Sequence, residues 1–177
     1  MRGRGWSPEL HAVDGAVAAD VPEKVAAAEP SRDAVCVLSV GGNDALGHVD
    51  LLTDARRDKS AADVFAALEE VREGFRPVYR RAVDALAATG APLFVCTIYN
   101  AVFTDPAIAA RAATGVALFN DVIVQEALAR DATVVDLRNV CTTADCYANE
   151  IEPSDRGGAR IADAIATAVE RRVAAAS

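Results

Sequence analysis

The run Ala34-Val35-Cys36-Val37-Leu38-Ser39-Val40-Gly41-Gly42-Asn43-Asp44 decides how the rest of the chain is read. Ala34 to Leu38 is a continuous apolar run of the kind found in a strand buried on both faces. Two glycines then let the backbone turn sharply and come close to a neighbour. Asn43 offers an amide just beyond the strand end. In an open parallel sheet the rim outside the carboxyl ends of the strands is where ligands bind.

Working outward, the spacing predicts further strands and helices in alternation. Glu9 to Val13 reads as a short first strand ending at Asp14-Gly15, and Ala18 to Ala28 as an alanine-rich helix stopped by Pro30. Asp44 to Asp58 is polar and mixed, a loop or short helix. Ser60-x-x-Asp63 resembles a capping box. It starts a long helix in which Val64, Leu68, Val71, Phe75, Val78, Ala82 and Leu86 share one face. Pro77 interrupts that pattern and predicts a kink or break near Arg76, and Gly90 a stop. Pro92 to Ile98 is a second buried strand, ending in Tyr99-Asn100. Asp105 to Arg130 is helical, with Gly115 a possible weak point. Ala132 to Val135 is a short strand ending at Asp136, Asn139 to Pro153 an irregular loop, and Ser154 to Ala176 the last helix. Apolar strands separated by helices imply a parallel sheet of about four strands covered on both faces, in a single domain over 1–177.

Composition narrows the function classes. The 177 residues suffice for one domain with a core, and 52% are hydrophobic and 25% charged. A net charge of -8 disfavours nucleic acid and anionic membranes as partners. Arg2 and Arg4 are the one basic cluster and read as a disordered start rather than a binding arm. No apolar run approaches the ~20 residues of a membrane span, and Met1 to Leu10 does not read as a signal peptide, so a cytoplasmic location is expected. Cys36 and Cys96 sit in strand runs, where Cys acts as a small hydrophobe. Cys141 and Cys146 flank a polar loop and are expected as reduced thiols, although they could pair. Neither their spacing nor the separated His11 and His48 forms a metal pattern, so no metal or cofactor is expected. No phosphate-cradling glycine loop supports a nucleotide-binding module.

With parallel strands, Asp14-Gly15, Gly41 to Asp44, Tyr99-Asn100 and Asp136 share one edge, and the loop before the last helix adds Asn149, Glu152 and Ser154. Polar strand ends meeting water account for Tyr99, Asn100 and Asp136. Gly41 to Asp44 is more specific backbone chemistry.

These residues carry a family resemblance. Gly41-Gly42-Asn43-Asp44 resembles the Gly-x-Asn-Asp block of the SGNH, or GDSL-like, hydrolases. Gly15 resembles the family's second-block glycine, and Glu150 to Ile161, EIEPSDRGGARI, its last block. The resemblance covers the chain from about His11 onward. It implies a three-layer α/β/α flavodoxin-like fold and ester or acyl hydrolysis by a nucleophilic serine, with Gly15 and Asn43 as oxyanion donors. A small-molecule ester is the implied substrate.

Two departures stand beside it. The family's Gly-Asp-Ser nucleophile segment precedes the second-block glycine, and the fourteen residues before Gly15 contain none. Ser7 precedes Pro8, Ser39 reads as a strand-end serine and Ser154 as a helix cap. In the last block Asn149 and Glu152 occupy the places of the usual Asp and His. Glu152 would serve as a general base if burial raised its pKa, or as a hydrogen-bond acceptor at the helix start. Asp145, in the same loop, reads as a solvated or turn-forming carboxylate.

The chain therefore reads as a hydrolase-type domain weakly active or inactive as it stands. The alternative is a non-catalytic remnant or small-ligand-binding α/β module. A nucleophile lying upstream, with Met1 not the natural start, is a further expectation. In a flavodoxin-like sheet of order 2-1-3-4-5 the first strand lies between strands 2 and 3. Without it, Glu9 to Val13 either pairs directly with Ala34 to Val40, drawing Gly15 about 4.8 Å toward Asn43, or frays. An uncovered sheet edge would be a place for homodimerisation or aggregation.

Overall fold

The computed structural model describes residues 6–50 and 59–176. Arg2, Arg4 and the 51–58 part of the Asp44–Asp58 segment lie outside the described residues. The elements are α1 (Val21–Ala28), β1 (Cys36–Leu38), α2 (Gly42–Leu46), α3 (Ala61–Ala87), β2 (Leu93–Cys96), α4 (Pro106–Leu128), β3 (Thr133–Val135) and α5 (Asp155–Ala176). A 3-10 turn, Ala18–Asp20, leads into α1, and two more, Leu137–Asn139 and Ala144–Cys146, lie between β3 and α5.

The sheet is parallel, in the order β1-β2-β3. Cys36 stands opposite Leu93, and Phe94 opposite Thr133. Side-chain alternation divides the interior into two cores. Cys36, Leu38, Leu93 and Val95 pack with Val21, Phe75, Tyr79, Val83, Phe119, Val122 and Ile123 from α1, α3 and α4. Phe94, Cys96, Val135 and Leu137 face the other way, onto Ile165 and Val169 of α5. The result is the three-layer α/β/α arrangement, with three strands.

The fourth strand is a correction. Glu9 to Val13 is coil without ladder pairing. Leu10 and Val13 are exposed, and His11 pairs with Glu9 at 3.4 Å instead of facing a sheet. An apolar-polar alternation this short, with no face to bury, gains too little to offset chain ordering. Among the described residues the outer edge of β1 is unpaired, and Val35 and Val37 are about two-fifths exposed.

At Pro77 the break does not occur: α3 runs as one helix from Ala61 to Ala87 with the proline inside it. Tertiary contacts outweigh the missing N–H. Phe75 and Tyr79, on either side of Pro77, are buried, and Phe75 packs its ring on Phe119 of α4 at 4.8 Å. The capping box expected at Ser60 forms: the Asp63 N–H donates to Ser60 Oγ at 3.2 Å, and the Ser60 N–H donates to Asp63 at 2.9 Å. Those bonds hold the Asp63 carboxyl below its ordinary range. Gly115 does not interrupt α4, whose start is capped by Asp105 accepting from the Ala107 N–H at 2.7 Å.

By length and composition α4 is apolar enough to cross a membrane, contrary to the expectation that no stretch is. Here one side of it builds the core through Phe119, Val122, Ile123 and Ala127. It also carries the buried carboxylate of Glu126. Arg80 donates twice to Glu126, at 3.0 and 3.1 Å, and Arg130 once at 2.8 Å. Arg76 adds an ion pair at 3.5 Å. The hydrogen bonds from Arg80, ahead of the opposing effect of burial, lower the Glu126 pKa.

Removing one partner of a buried charge network leaves the others uncompensated. Glu126→Ala is expected to cost about 3 kcal/mol in urea unfolding at pH 7, at the low end for buried pairs because Arg80 is half exposed. A carboxyl whose folded pKa is depressed stabilises above its unfolded value of about 4.3, and that contribution is lost as pH falls through the lower folded value. Unfolding midpoints of Glu126→Gln are therefore expected to fall less than the wild type's across that acid window.

Candidate functional site

The rim begins where β1 ends. Gly41 adopts φ 120°, and a Cβ there would lie 3.3 Å from the terminal methyls of both Ile98 and Ile123. The positive φ and the apolar neighbours together demand glycine. A Cβ at Gly42 would meet nothing within 4 Å, so the second glycine has no such requirement. The turn at Gly41 lets α2 begin at once, which lifts Asn43 and Asp44 onto the rim.

Both side chains reach back across the chain. Asn43 Nδ2 donates to the Ala16 carbonyl at 3.0 Å. The Asp44 carboxylate accepts from the Ala18 N–H at 3.0 and 3.3 Å. Burial pushes the Asp44 carboxyl up, with the Ala18 hydrogen bond acting against it. Gly15 sits in the turn closed by the Ala16 N–H to Val13 carbonyl bond at 3.2 Å, with φ 76°. That is the glycine position of a type II turn. Gly15 and Asn43, separated by 27 residues, are thus joined through Ala16, although the segment before Gly15 is no strand.

The other strand ends are fastened from behind. Asn120 of α4 is buried and clips the Ile98 backbone, its Oδ1 accepting from the N–H at 2.8 Å and its Nδ2 donating to the carbonyl at 2.9 Å. Thr97 Oγ1 donates to Asp136 at 3.0 Å and accepts from the Leu137 N–H at 2.9 Å. The Arg138 guanidinium, with Thr97 second among the helping hydrogen bonds, holds the Asp136 carboxyl down at about 2. Asp136 is therefore a paired structural carboxylate rather than a merely solvated strand end.

The late loop reaches the same edge. Tyr99 Oη donates to the Ile151 carbonyl at 2.9 Å, and the Val102 N–H to the Glu150 carbonyl at 2.8 Å. Gly15, Asn43, Ser39, Thr97, Tyr99 and Glu152 line one long groove, which runs along β1 and between α3 and α4. Asn149 is not among its walls. Its Oδ1 accepts from the Ile151 and Glu152 N–H groups at 2.9 and 2.7 Å, an Asx turn that shapes the loop. Glu152 is exposed, so the burial that a base role would need is missing. Glu150, which the sequence did not single out, accepts from the Thr104 N–H and hydroxyl at 3.0 and 3.1 Å. Asp145 is no idle carboxylate either, since it pairs with Arg156 at 2.7 Å. Ser154 caps α5 as expected, accepting from the Gly157 N–H at 3.2 Å and donating to the Asp145 carbonyl at 2.7 Å.

Asn120 and Thr97 are not legible from the sequence, because a polar residue inside an apolar helix or beside a strand carries no local signal of its partner. Asn120, polar within the run Leu118 to Val124, was the available clue.

The fold is a parallel sheet layered between helices, an α/β/α sandwich. The family model of the GDSL-like lipases and acylhydrolases matches residues 2–168, and the chain belongs to that family. Among solved structures, it is similar to the extracellular lipase of Streptomyces rimosus, with 19% identity and a TM-score of 0.66, covering 87% of this chain and 77% of that one. It is also similar to a catalytic mutant of Axe2, an acetylxylan esterase of Geobacillus stearothermophilus, with 16% identity and a TM-score of 0.60, covering 88% and 68%. An acetyl xylan esterase, AlAXEase, aligns at 15% identity and a TM-score of 0.58 over 89% and 78%. Among curated protein sequences, none matches.

The last helix docks so closely that a Cβ at Gly157 would stand 2.0 Å from the Cys146 carbonyl oxygen. Gly157→Ala is expected to lower stability by about 1–3 kcal/mol, as overpacking against backbone does. The Asp44→Ala change is expected to cost about 1–2 kcal/mol and to speed amide exchange at Ala18, whose N–H loses its acceptor. Exchange at Ala18 unchanged in that variant would show that the clasp does not form in solution.

Proposed function

We propose that this chain carries the oxyanion-binding half of an acyl-ester hydrolase site, with Gly15 and Asn43 as donors toward a small-molecule ester. The observation that carries the reading is the Asn43 to Ala16 hydrogen bond, which gathers the two donor segments at one point of the rim. Preorganised donors aimed at developing negative charge are worth about 10²–10³ in rate for each donor. A serine nucleophile needs an adjacent base. Among the described residues, no serine on the rim is hydrogen-bonded to a carboxylate or an imidazole. Ser39 lines the groove at the end of β1, and Ser154 is committed to capping α5. Weak esterase turnover by the chain alone is the corollary.

A second reading, a non-catalytic small-ligand module on the same fold, is favoured by the late loop. There Asn149 is spent on its own turn and Glu152 faces solvent.

Release of nitrophenol from a short-chain nitrophenyl ester tests both. The expected result for the chain is slow turnover that falls about 100-fold in Asn43→Ala and stays unchanged in Ser39→Ala. Ordinary esterase rates that survive Asn43→Ala would remove Asn43 from the site, and loss in Ser39→Ala would make Ser39 the nucleophile. No turnover in any of the three would favour the non-catalytic module.

A further inference from the structure

Among the described residues the outer edge of β1 is open, and the long groove runs along it. The Cys36 N–H donates to the Pro92 carbonyl at 2.9 Å, which turns the backbone groups of Cys36 and Leu38 toward β2. Backbone polar groups alternate sides along a strand. The Val35 carbonyl and both the N–H and the carbonyl of Val37 therefore point out of the sheet edge. Among the described residues none bonds to them. Apolar side chains line the groove on both faces of this edge, with Val25 of α1 and Val71 of α3 on one and Val169 and Val173 of α5 on the other. Residues 6–16 line the groove as well, without joining the ladder.

We propose that this edge is a docking site for an extended segment of another polypeptide, apolar along its length and carrying a lysine or arginine at the end beside Asp33. The inference concerns the sheet edge and holds whether or not the rim hydrolyses esters. Hydrogen bonding selects a peptide over an acyl chain. An acyl chain would bury the Val37 N–H and the two carbonyls unpaired. A strand added to the edge satisfies all three from its own backbone. Because the groove is apolar on both faces of the edge, the added strand needs apolar side chains on both of its own faces, as a strand inside a covered parallel sheet has.

Charge sets which end is basic. Glu29 and Asp33 are exposed and line the groove where β1 begins, and neither makes an ion pair among the described residues. Arg32, between them in sequence, lies over Gly90 instead. The basic residues that line the groove, Lys24, Lys59 and Arg111, come from α1, the residue before the Ser60 cap, and α4. A second copy of this chain fits the same end poorly. Two β1 edges related by a twofold axis run antiparallel, which sets the partner's Val40 to Asn43, without a base and followed by an acid, beside Asp33. A cation on the docked segment instead meets two exposed carboxylates there.

The test is titration of the full chain with a blocked, dye-labelled peptide of five valines and isoleucines between two lysines, read by fluorescence anisotropy and by residue-resolved amide exchange. Expected is saturable binding of one peptide per chain, with slower exchange at the Val37 amide and no change at Cys36, whose N–H is already bonded to β2. The same peptide flanked by glutamates is expected to bind about fivefold more weakly. One N-methylated at alternate residues, which keeps the apolar surface but loses the edge-facing donors, is expected to bind about tenfold more weakly. Asp33→Lys is expected to remove the preference for lysine over glutamate. Equal binding of the N-methylated peptide, or unchanged exchange at Val37, would overturn the inference in favour of plain apolar adsorption. A chain that sediments as a dimer with Val37 already protected, and takes up no peptide, would overturn it in favour of a second copy. The peptide controls are read on the wild-type chain, so they decide the matter even if the variant does not fold.

Discussion

A single clasp sets the geometry of the rim: the side chains of two consecutive residues, Asn43 and Asp44, hold the backbone of Ala16 and Ala18. One contact donates to a carbonyl and the other accepts from an amide, so the earlier segment is fixed in position and direction. It has no sheet to hold it there. The clasp exists because β1 ends in a residue that can turn at φ 120° while pressed against Ile98 and Ile123. Core packing, backbone freedom and rim chemistry therefore meet at Gly41. A side chain there would shift α2, and with it both halves of the clasp.

Behind the rim, order comes from polar groups that work from inside the fold. Asn120 takes the backbone of Ile98 as a strand neighbour would, satisfying both its N–H and its carbonyl. Thr97 accepts the Leu137 N–H at the start of the turn after β3 and donates to the Asp136 carboxylate. These bonds matter because β1, β2 and β3 are only three or four residues long. Strands that short supply few ladder bonds of their own, so side chains complete the pairing at their ends. The Glu126 network does for α3 and α4 what Asn120 does for β2. It couples two elements through a buried polar group that is satisfied from several sides, and α3 can then carry Pro77 without breaking.

Of the residues that the family resemblance marks, some meet at the rim and others do not. Gly15 and Asn43 come together, and the last block arrives at the same edge through Tyr99 and Ile151. Asn149 and Glu152 do not follow. One shapes its own loop and the other stands in solvent. The contacts of this loop are instead made by Glu150, Asp145 and the thiol of Cys146.

Much of the fold was legible in the residues alone. Capping by Ser60 and Ser154, the apolar strand runs, and the helical spacing of α3 and α5 are local properties that tetrapeptides and heptads record. The glycine-asparagine block at the end of β1 was legible for the same reason. Only the tertiary structure decided that Glu9 to Val13 is no strand, that Pro77 sits within one helix, that α4 is long and apolar yet also carries a buried ion-pair network, and that Asn149 turns inward on its loop. Each of these depends on a partner distant in the chain. A strand needs an edge to pair with, a proline-bearing helix a surface to hold it, a buried carboxylate its arginines, and an amide whichever donor reaches it first. Sequence records what a residue can do locally; the choice among distant partners is made by packing.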